Sequence, residues 1–391
     1  MDMLKCAGVY TCEVDDAEAA LSEINTRLND AIVLMENTVG VIMCHPEFVQ
    51  SGVLRYICDR LPFDIAGATT SSQAVNGIAE DMVLTVFVMT ADDVTFRTGI
   101  TETLTEDIFE PTRKAYEAVE IPSSTPRLAL IFAPLLSHHA GDDYVDAWER
   151  VIPGVPVFGM MCTDDTVDFS ESAVIYNGQT KKDAMPYILC YGNIRPRFSI
   201  GIFSDKNAMP YEGTFTKTDG INVYKINHTN AYEYFEELGL AKDGLPNNIF
   251  YFVPFMVNQI DRKDYDGIPV LRELGLFAPD GTAIFRGNID EGSTFKLLQG
   301  TYDDVMEIAE RKFGEAAIQP DINGILIFSC VVRRMLVIQN DSLNELSMAR
   351  EKMGDIPFMM GYAGGEICPT SVYNDAATNR FHAYSLITLI I

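Results

Sequence analysis

The strongest constraint on this chain is an internal echo. Three times, an apolar strand-like run is followed by a polar loop and a helix, and a proline then opens a second apolar run that closes on glycine. The first copy runs from Val39–Cys44 through Leu54–Asp59 to Pro62–Gly67. The second runs from Leu128–Phe132 through Tyr144–Val151 to Pro156–Gly159, and the third from Ile325–Phe328 through Ser342–Met353 to Pro357–Gly361. Each copy reads as a β-α-β unit. Parallel strands need a crossover of this length, and strands covered on both faces are apolar throughout rather than alternating. Such units also occur in generic α/β architecture, so the echo narrows the class of fold more than the function.

Helix and turn signals fill in the rest. A helix is expected from Asp15 or Asp16 to about Leu28, where Ala17, Leu21, Ile24 and Leu28 share a face and Asp supplies the N-cap. Two more are expected to end at glycine: Tyr302 to Phe313 before Gly314, and Ser342 to Met353 before Gly354, the latter capped by Asp341. Asn177-Gly178, Asp219-Gly220 and Asp280-Gly281 mark hairpins, because these pairs tolerate the positive φ of tight turns. The apolar end, Leu386 to Ile391, reads as a final strand.

At 391 residues the chain is long enough for two or three domains at roughly 150 residues each. Its formal charge of −27 repels phosphate backbones and anionic lipid, which argues against nucleic acid or a membrane surface as partner. Lys181-Lys182 and Arg333-Arg334 come nearest to a basic patch. No apolar run is long enough to span a bilayer, and the opening residues lack the pattern of a secretory signal. The eight cysteines show no CxxC or zinc-finger spacing, so a reduced, cytoplasmic protein without a structural zinc site is expected.

Polar residues crowd the ends of the echoed strands. His45-Pro46, Ser137-His138-His139 and Ser329-Cys330 with Arg333 follow the first strands; Thr69-Thr70-Ser71, Thr163-Asp164-Asp165 and Gly364-Gly365-Glu366 follow the second. Ligands of open α/β sheets bind beyond the carboxyl ends of strands, so these loops are the candidate binding surface. Cys330 would gain thiolate character from a nearby Arg333, and His382 would be its base; an ordinary buried cysteine fits the same pattern. Arg333 suits a carboxylate and Glu366 an amine, so the two together would suit a zwitterion. Any of His45, His138, His139, His228 and His382 has the chemistry to ligate haem iron, but no HExxH or CxxCH selects one. Asp164-Asp165 would suit a hard cation or a turn cap. GxGxxG, GxxxxGK[ST] and GxSxG are all missing, which removes the main support for dinucleotide, NTPase and hydrolase readings.

The C-terminal motifs resemble the FIST family, whose halves are called FIST N and FIST C. Ile327–Arg333 resembles its Phe-Ser-Cys-x-x-Arg segment, and Pro357–Ile367 its Pro-x-x-Gly-x-x-x-x-Gly-Glu-Ile segment. Phe381-His382 and Leu386–Thr388 resemble its closing strand, with Ala383 where Asn is usual. Upstream, Ala7–Thr11 with Ala17–Ala20, Phe158–Asp165 (Met160 replacing a glycine), Phe215–Lys217, Tyr224–Ile226 and Ala231–Tyr234 are similar to its other segments.

The resemblance implies a stand-alone sensor that binds a small polar metabolite, an amino acid among the options, and signals through a separate kinase, chemoreceptor or cyclic-dinucleotide enzyme. The expected fold is mixed α/β (α+β), with β-α-β units, antiparallel hairpin additions and mixed sheets flanked by helices. Two domains are expected, residues 1–227 (FIST N-like) and 228–391 (FIST C-like). The expected pocket joins Ser329, Cys330, Arg333, Tyr362, Gly365, Glu366 and His382, closed by Thr163, Asp164 and Asp165. No catalysis, metal or cofactor is expected; the alternatives are a haem-binding gas sensor and an enzyme using Cys330 with His382.

Overall fold

A computed structural model describes residues 4–119, 124–166, 168–241, 253–259, 268–338, 341, 343–373 and 376–391. The chain builds the same mixed unit three times. The first contains β1 (Lys5–Thr11), α1 (Ala17–Ala31), β2 (Asn37–Cys44), α2 (Glu47–Gln50), α3 (Val53–Cys58), β3 (Asp64–Thr69), the hairpin β4 (Gln73–Val75) and β5 (Ile78–Glu80), and β6 (Leu84–Ala91). The second contains β7 (Val94–Ile100), α4 (Phe109–Ala118), β8 (Leu128–Ala133), α5 (Gly141–Val151), β9 (Val157–Met161), the hairpin β10 (Val174–Tyr176) and β11 (Gln179–Lys181), and β12 (Pro186–Gly192).

The third unit opens with β13 (Arg197–Gly201) and is then interrupted by an insert. The insert comprises β14 (Ala208–Asp219), β15 (Asn222–Ile226), β16 (Thr229–Asn230), α6 (Ala231–Glu237), β17 (Phe255–Asn258), β18 (Val270–Arg272), β19 (Leu274–Phe277), β20 (Ala283–Phe285) and β21 (Thr294–Leu298). Its strands form one antiparallel sheet around an aromatic core of Phe215, Phe255, Phe285 and Phe295. The unit then resumes with α7 (Tyr302–Ala317), β22 (Ile325–Cys330), α8 (Val331–Val337), α9 (Asn344–Met353), β23 (Phe358–Ala363), the hairpin β24 (Glu366–Tyr373) and β25 (Ala376–His382), and β26 (Leu386–Ile390).

The three echoed pairs are parallel: β2 with β3, β8 with β9, and β22 with β23. The sheet orders are β1-β6-β2-β3-β10-β11, β7-β12-β8-β9-β24-β25 and β13-β26-β22-β23-β4-β5. They follow one pattern, and in each the last two strands come from another unit. The hairpin of the first unit extends the sheet of the third, that of the second extends the first, and that of the third extends the second. This cyclic exchange covers the edge of each second parallel strand, which would otherwise present unpaired backbone groups.

One face of each of these three sheets turns inward onto a shared core that includes Val41, Phe87, Leu130, Phe158, Phe328 and Leu389. Phe158 and Phe328, from different units, stack at 5.1 Å between centroids. The other faces are covered by each unit's own helices. Asp16 caps α1 as expected, accepting from the Glu18 and Ala19 amides, an arrangement worth about 1 kcal/mol. Asn177 and Gly178 turn their hairpin at φ 46° and 75°.

Three expectations are corrected. Gly314 does not end its helix: α7 runs on to Ala317 and buries Ala316 against the core, which offsets the cost of a mid-helix glycine of about 1 kcal/mol. The hairpin near Asp219 turns one residue later, since Asp219 pairs with Asn222. The helix expected from Ser342 begins at Asn344, and Ser342 itself lies outside the described residues; Asp341 still accepts from the Leu343 amide at 3.0 Å. Among the described residues no helix is long and apolar enough to cross a membrane.

Candidate functional site

Because the parallel pairs point the same way, the loops after β3, β9 and β23 meet at one end of the ring. The Thr163 amide donates to the Thr69 carbonyl (3.2 Å), the Gly364 amide to the Met161 carbonyl (3.0 Å), and the Thr70 hydroxyl to the Tyr362 carbonyl (2.8 Å). The Thr69 hydroxyl adds a bond to the Thr163 carbonyl at 2.9 Å. The three polar loops that follow the second strands therefore interlock in one cluster, in which Thr69, Thr70, Ser71, Thr163, Asp164 and Glu366 are buried. Gly365 is required there by close approach: a Cβ would lie 2.4 Å from the Phe381 ring.

Within this cluster, Asp164 folds its own loop. It is fully buried and accepts from Thr166 N and Oγ1 and from the Glu171 amide. Asp165 is half exposed and meets Nε2 of His45 at 3.2 Å. The Glu47 amide donates to Nδ1 of His45, so Nε2 carries the proton that faces Asp165. His139 bonds Asp143 and the Thr105 carbonyl, and His138 packs against it with the ring planes tilted by 51°. Among the described residues no cluster of His, Cys, Asp and Glu is placed to hold a metal ion.

Arg333 and Glu366 have different neighbours. Arg333 is fully buried at the start of α8, and its Nη2 lies 2.6 Å from Oε1 of Glu345 on α9. Nε donates to Ser329 Oγ at 3.1 Å, Ser329 donates to Glu345 Oε2 at 2.9 Å, and Nη2 also reaches the Val305 carbonyl of α7. The Tyr362 hydroxyl lies beside Glu345, and burial pushes its phenol well above the ordinary range. Ser329, Arg333, Tyr362 and Glu345 thus form one sealed polar cluster that ties three helices to the sheet.

Glu366 heads β24 and accepts from the Ser385 amide (3.2 Å) and hydroxyl (2.7 Å). Burial holds its carboxyl well above the carboxylate range, with the Ser385 bonds opposing. The Cys330 thiol lies against it. The expectation that Arg333 makes Cys330 a thiolate is reversed: burial first, then the Glu366 and Glu273 carboxyls, push the thiol up. His382 stands opposite Glu366 in the strand register and donates from Nε2 to the Cys368 carbonyl at 3.2 Å.

Beside Cys330 a cavity of about 40 Å³ opens between the ring and the insert, room for a few water molecules. Leu135, Phe169, Val331, Val332 and Met335 make it apolar, and Gly364 contributes backbone. Among the described residues its charged groups come from the insert: Glu273, between β18 and β19, and Arg286, just after β20, with Nε 3.9 Å from Oε1 of Glu273. Burial raises the Glu273 carboxyl to about 7, and the Arg286 guanidinium opposes the shift. The adjacent Arg272 anchors the insert. It is fully buried, pairs with Asp142 at the start of α5 (2.8 Å) and donates to the Phe381 carbonyl (2.9 Å). Asn288 reinforces the contact through its amide to Asp142 (2.8 Å).

Of the expected site residues, only Cys330 lines this cavity, with Glu366 directly behind it. Glu273, Arg286 and Phe169 were not legible in the sequence. They reach Cys330 across long stretches of chain, with no local pattern to mark them.

These features define a three-unit mixed α+β ring with an inserted β-sheet over the loops at one end. The FIST N domain model matches residues 38–229 and the FIST C domain model residues 231–369, and the chain belongs to the FIST family. The two matches meet in the insert, at the start of α6. No curated protein matches. A crystal structure of a cyanuric acid hydrolase from A. caulinodans is similar over 100% of this chain and 99% of its own, at 10% identity and a TM-score of 0.31.

Proposed function

We propose that the protein is a sensor whose small polar ligand, an amino acid by preference, binds between the ring and the insert beside Cys330. The observation that carries this reading is the pairing of Glu273 and Arg286 at the charged edge of an otherwise apolar cavity. Arg286 offers a planar fork to a carboxylate, Glu273 accepts from an ammonium, and Phe169 and Met335 face a side chain. The cavity is smaller than an amino acid, so binding requires the Glu273–Arg286 edge of the insert to move outward. That movement is the signal a separate partner would read. None of the five histidines lines the cavity, so it lends haem no support. All eight cysteines are unpaired, which supports a reducing, cytoplasmic location.

Calorimetric titration of dialysed protein with the free amino acids tests this. A saturable one-to-one isotherm supports the reading, and no heat of binding from any of them at millimolar concentration overturns it.

A further inference from the structure

The Glu273 carboxyl has little to hold a negative charge. Its side chain is 12% exposed, and it shares the cavity with Leu135, Phe169, Val331, Val332 and Met335. Among the described residues no donor hydrogen-bonds either of its oxygens. Arg286 comes nearest, and its Nε at 3.9 Å is beyond hydrogen-bond reach. Arg272, the preceding residue, turns its guanidinium to Asp142 instead. From the ring, the Cys330 thiol faces Glu273, with the Glu366 carboxyl behind the thiol, and burial pushes both of these groups up as well. A carboxylate in such a place is costly, so below about pH 7 the ligand-free Glu273 is held neutral.

We infer that ligand binding expels a proton from Glu273, so that occupancy of the cavity is coupled to pH. The inference rests on the reading that an amino acid binds between Glu273 and Arg286. An ionised carboxyl accepts charge-assisted hydrogen bonds from an ammonium, about twice as strong as those a neutral carboxyl accepts. The ligand's ammonium therefore supplies at hydrogen-bond distance the cation that Arg286 supplies only from afar. Arg286 is left to the ligand's carboxylate. The proton passes from Glu273 to solvent, and the ligand keeps all three of its ammonium protons. The linkage runs both ways: a rise in pH tightens binding, and acid releases the ligand.

The test is calorimetric titration of the full chain with the free amino acids at pH 6 and pH 8, each in two buffers of different ionisation enthalpy. The change of observed heat with buffer counts the protons released. With the free carboxyl at about 7, roughly one proton should leave per ligand at pH 6 and almost none at pH 8, and affinity should be about tenfold higher at pH 8. In Glu273→Gln, whose fold a thermal melt checks, binding should weaken at least tenfold and release no proton. Binding by the parent protein without proton release, or with equal affinity at the two pH values, overturns the inference and leaves the ligand reading standing. Proton release that persists in Glu273→Gln belongs to another group and also overturns it. No heat of binding from any amino acid at either pH overturns the ligand reading, and this inference with it.

Discussion

Arg333 and Glu345 form an ion pair sealed from solvent: Nη2 and Oε1 are 2.6 Å apart and both side chains are 0% exposed. The pair joins α8 to α9 and, through the Val305 carbonyl, to α7. Removing one partner leaves the other charged and uncompensated in the interior. Arg333→Met and Glu345→Leu should each cost about 3–5 kcal/mol in urea unfolding, and the double variant should recover part of that loss. Additive losses would show that the two do not act as a unit.

Cys330 should react slowly. The residue is 2% exposed and its thiol is pushed up by burial and by Glu366, whereas Cys12 is exposed. Iodoacetamide at neutral pH, followed by peptide mapping, should label Cys12 well before Cys330, and unfolding should remove the difference. Rapid labelling of native Cys330 would revive the nucleophile reading, with His382 as its base.

Glu273 should make stability fall as pH rises. Its carboxyl stays protonated in the fold up to about 7 but ionises near 4.5 in the unfolded chain. Between those values the unfolded state binds fewer protons, so this group lowers stability as pH rises and its full penalty is present above 7. The shift corresponds to roughly 3 kcal/mol. Denaturation of Glu273→Gln beside the parent protein at pH 5 and pH 8 should show the variant gaining relative stability at the higher pH. A constant difference across that range would contradict the burial of this carboxyl.

Arg272 should hold the insert in place over the cavity. Arg272→Met removes the cation facing Asp142 and should cost about 3–5 kcal/mol. Limited proteolysis should then cut the insert sooner than the ring. Equal protection of the two would show that the insert is held by its other contacts alone.

The three parallel pairs were legible because doubly covered strands carry near-continuous apolar runs and each crossover helix carries its own stripe. The hairpin exchange between units was not. A three-residue strand such as Gln73–Val75 shows no period, and its partner strand β23 lies more than half the chain away. Glu345 illustrates a second limit. A glutamate in the first turn of a helix reads as a favourable charge near the dipole, and only the fold reveals that Arg333 draws it into the interior. Of the proposed zwitterion clamp, Glu366 stands behind Cys330 in the cavity wall, and among the described residues the cation at the cavity is Arg286 from the insert.

The central claim is that Glu273 and Arg286 hold a ligand beside Cys330. Its most direct test is a thermal-shift screen of free amino acids against the parent protein and Arg286→Ala. Arg286 is part-exposed, so the variant should fold. A ligand at a hundred times its Kd contributes about 2.7 kcal/mol, a rise in Tm of about 3 °C. The account predicts such a rise for at least one amino acid in the parent protein and its loss in Arg286→Ala. A rise of equal size in the variant, or no rise in either protein, would contradict it.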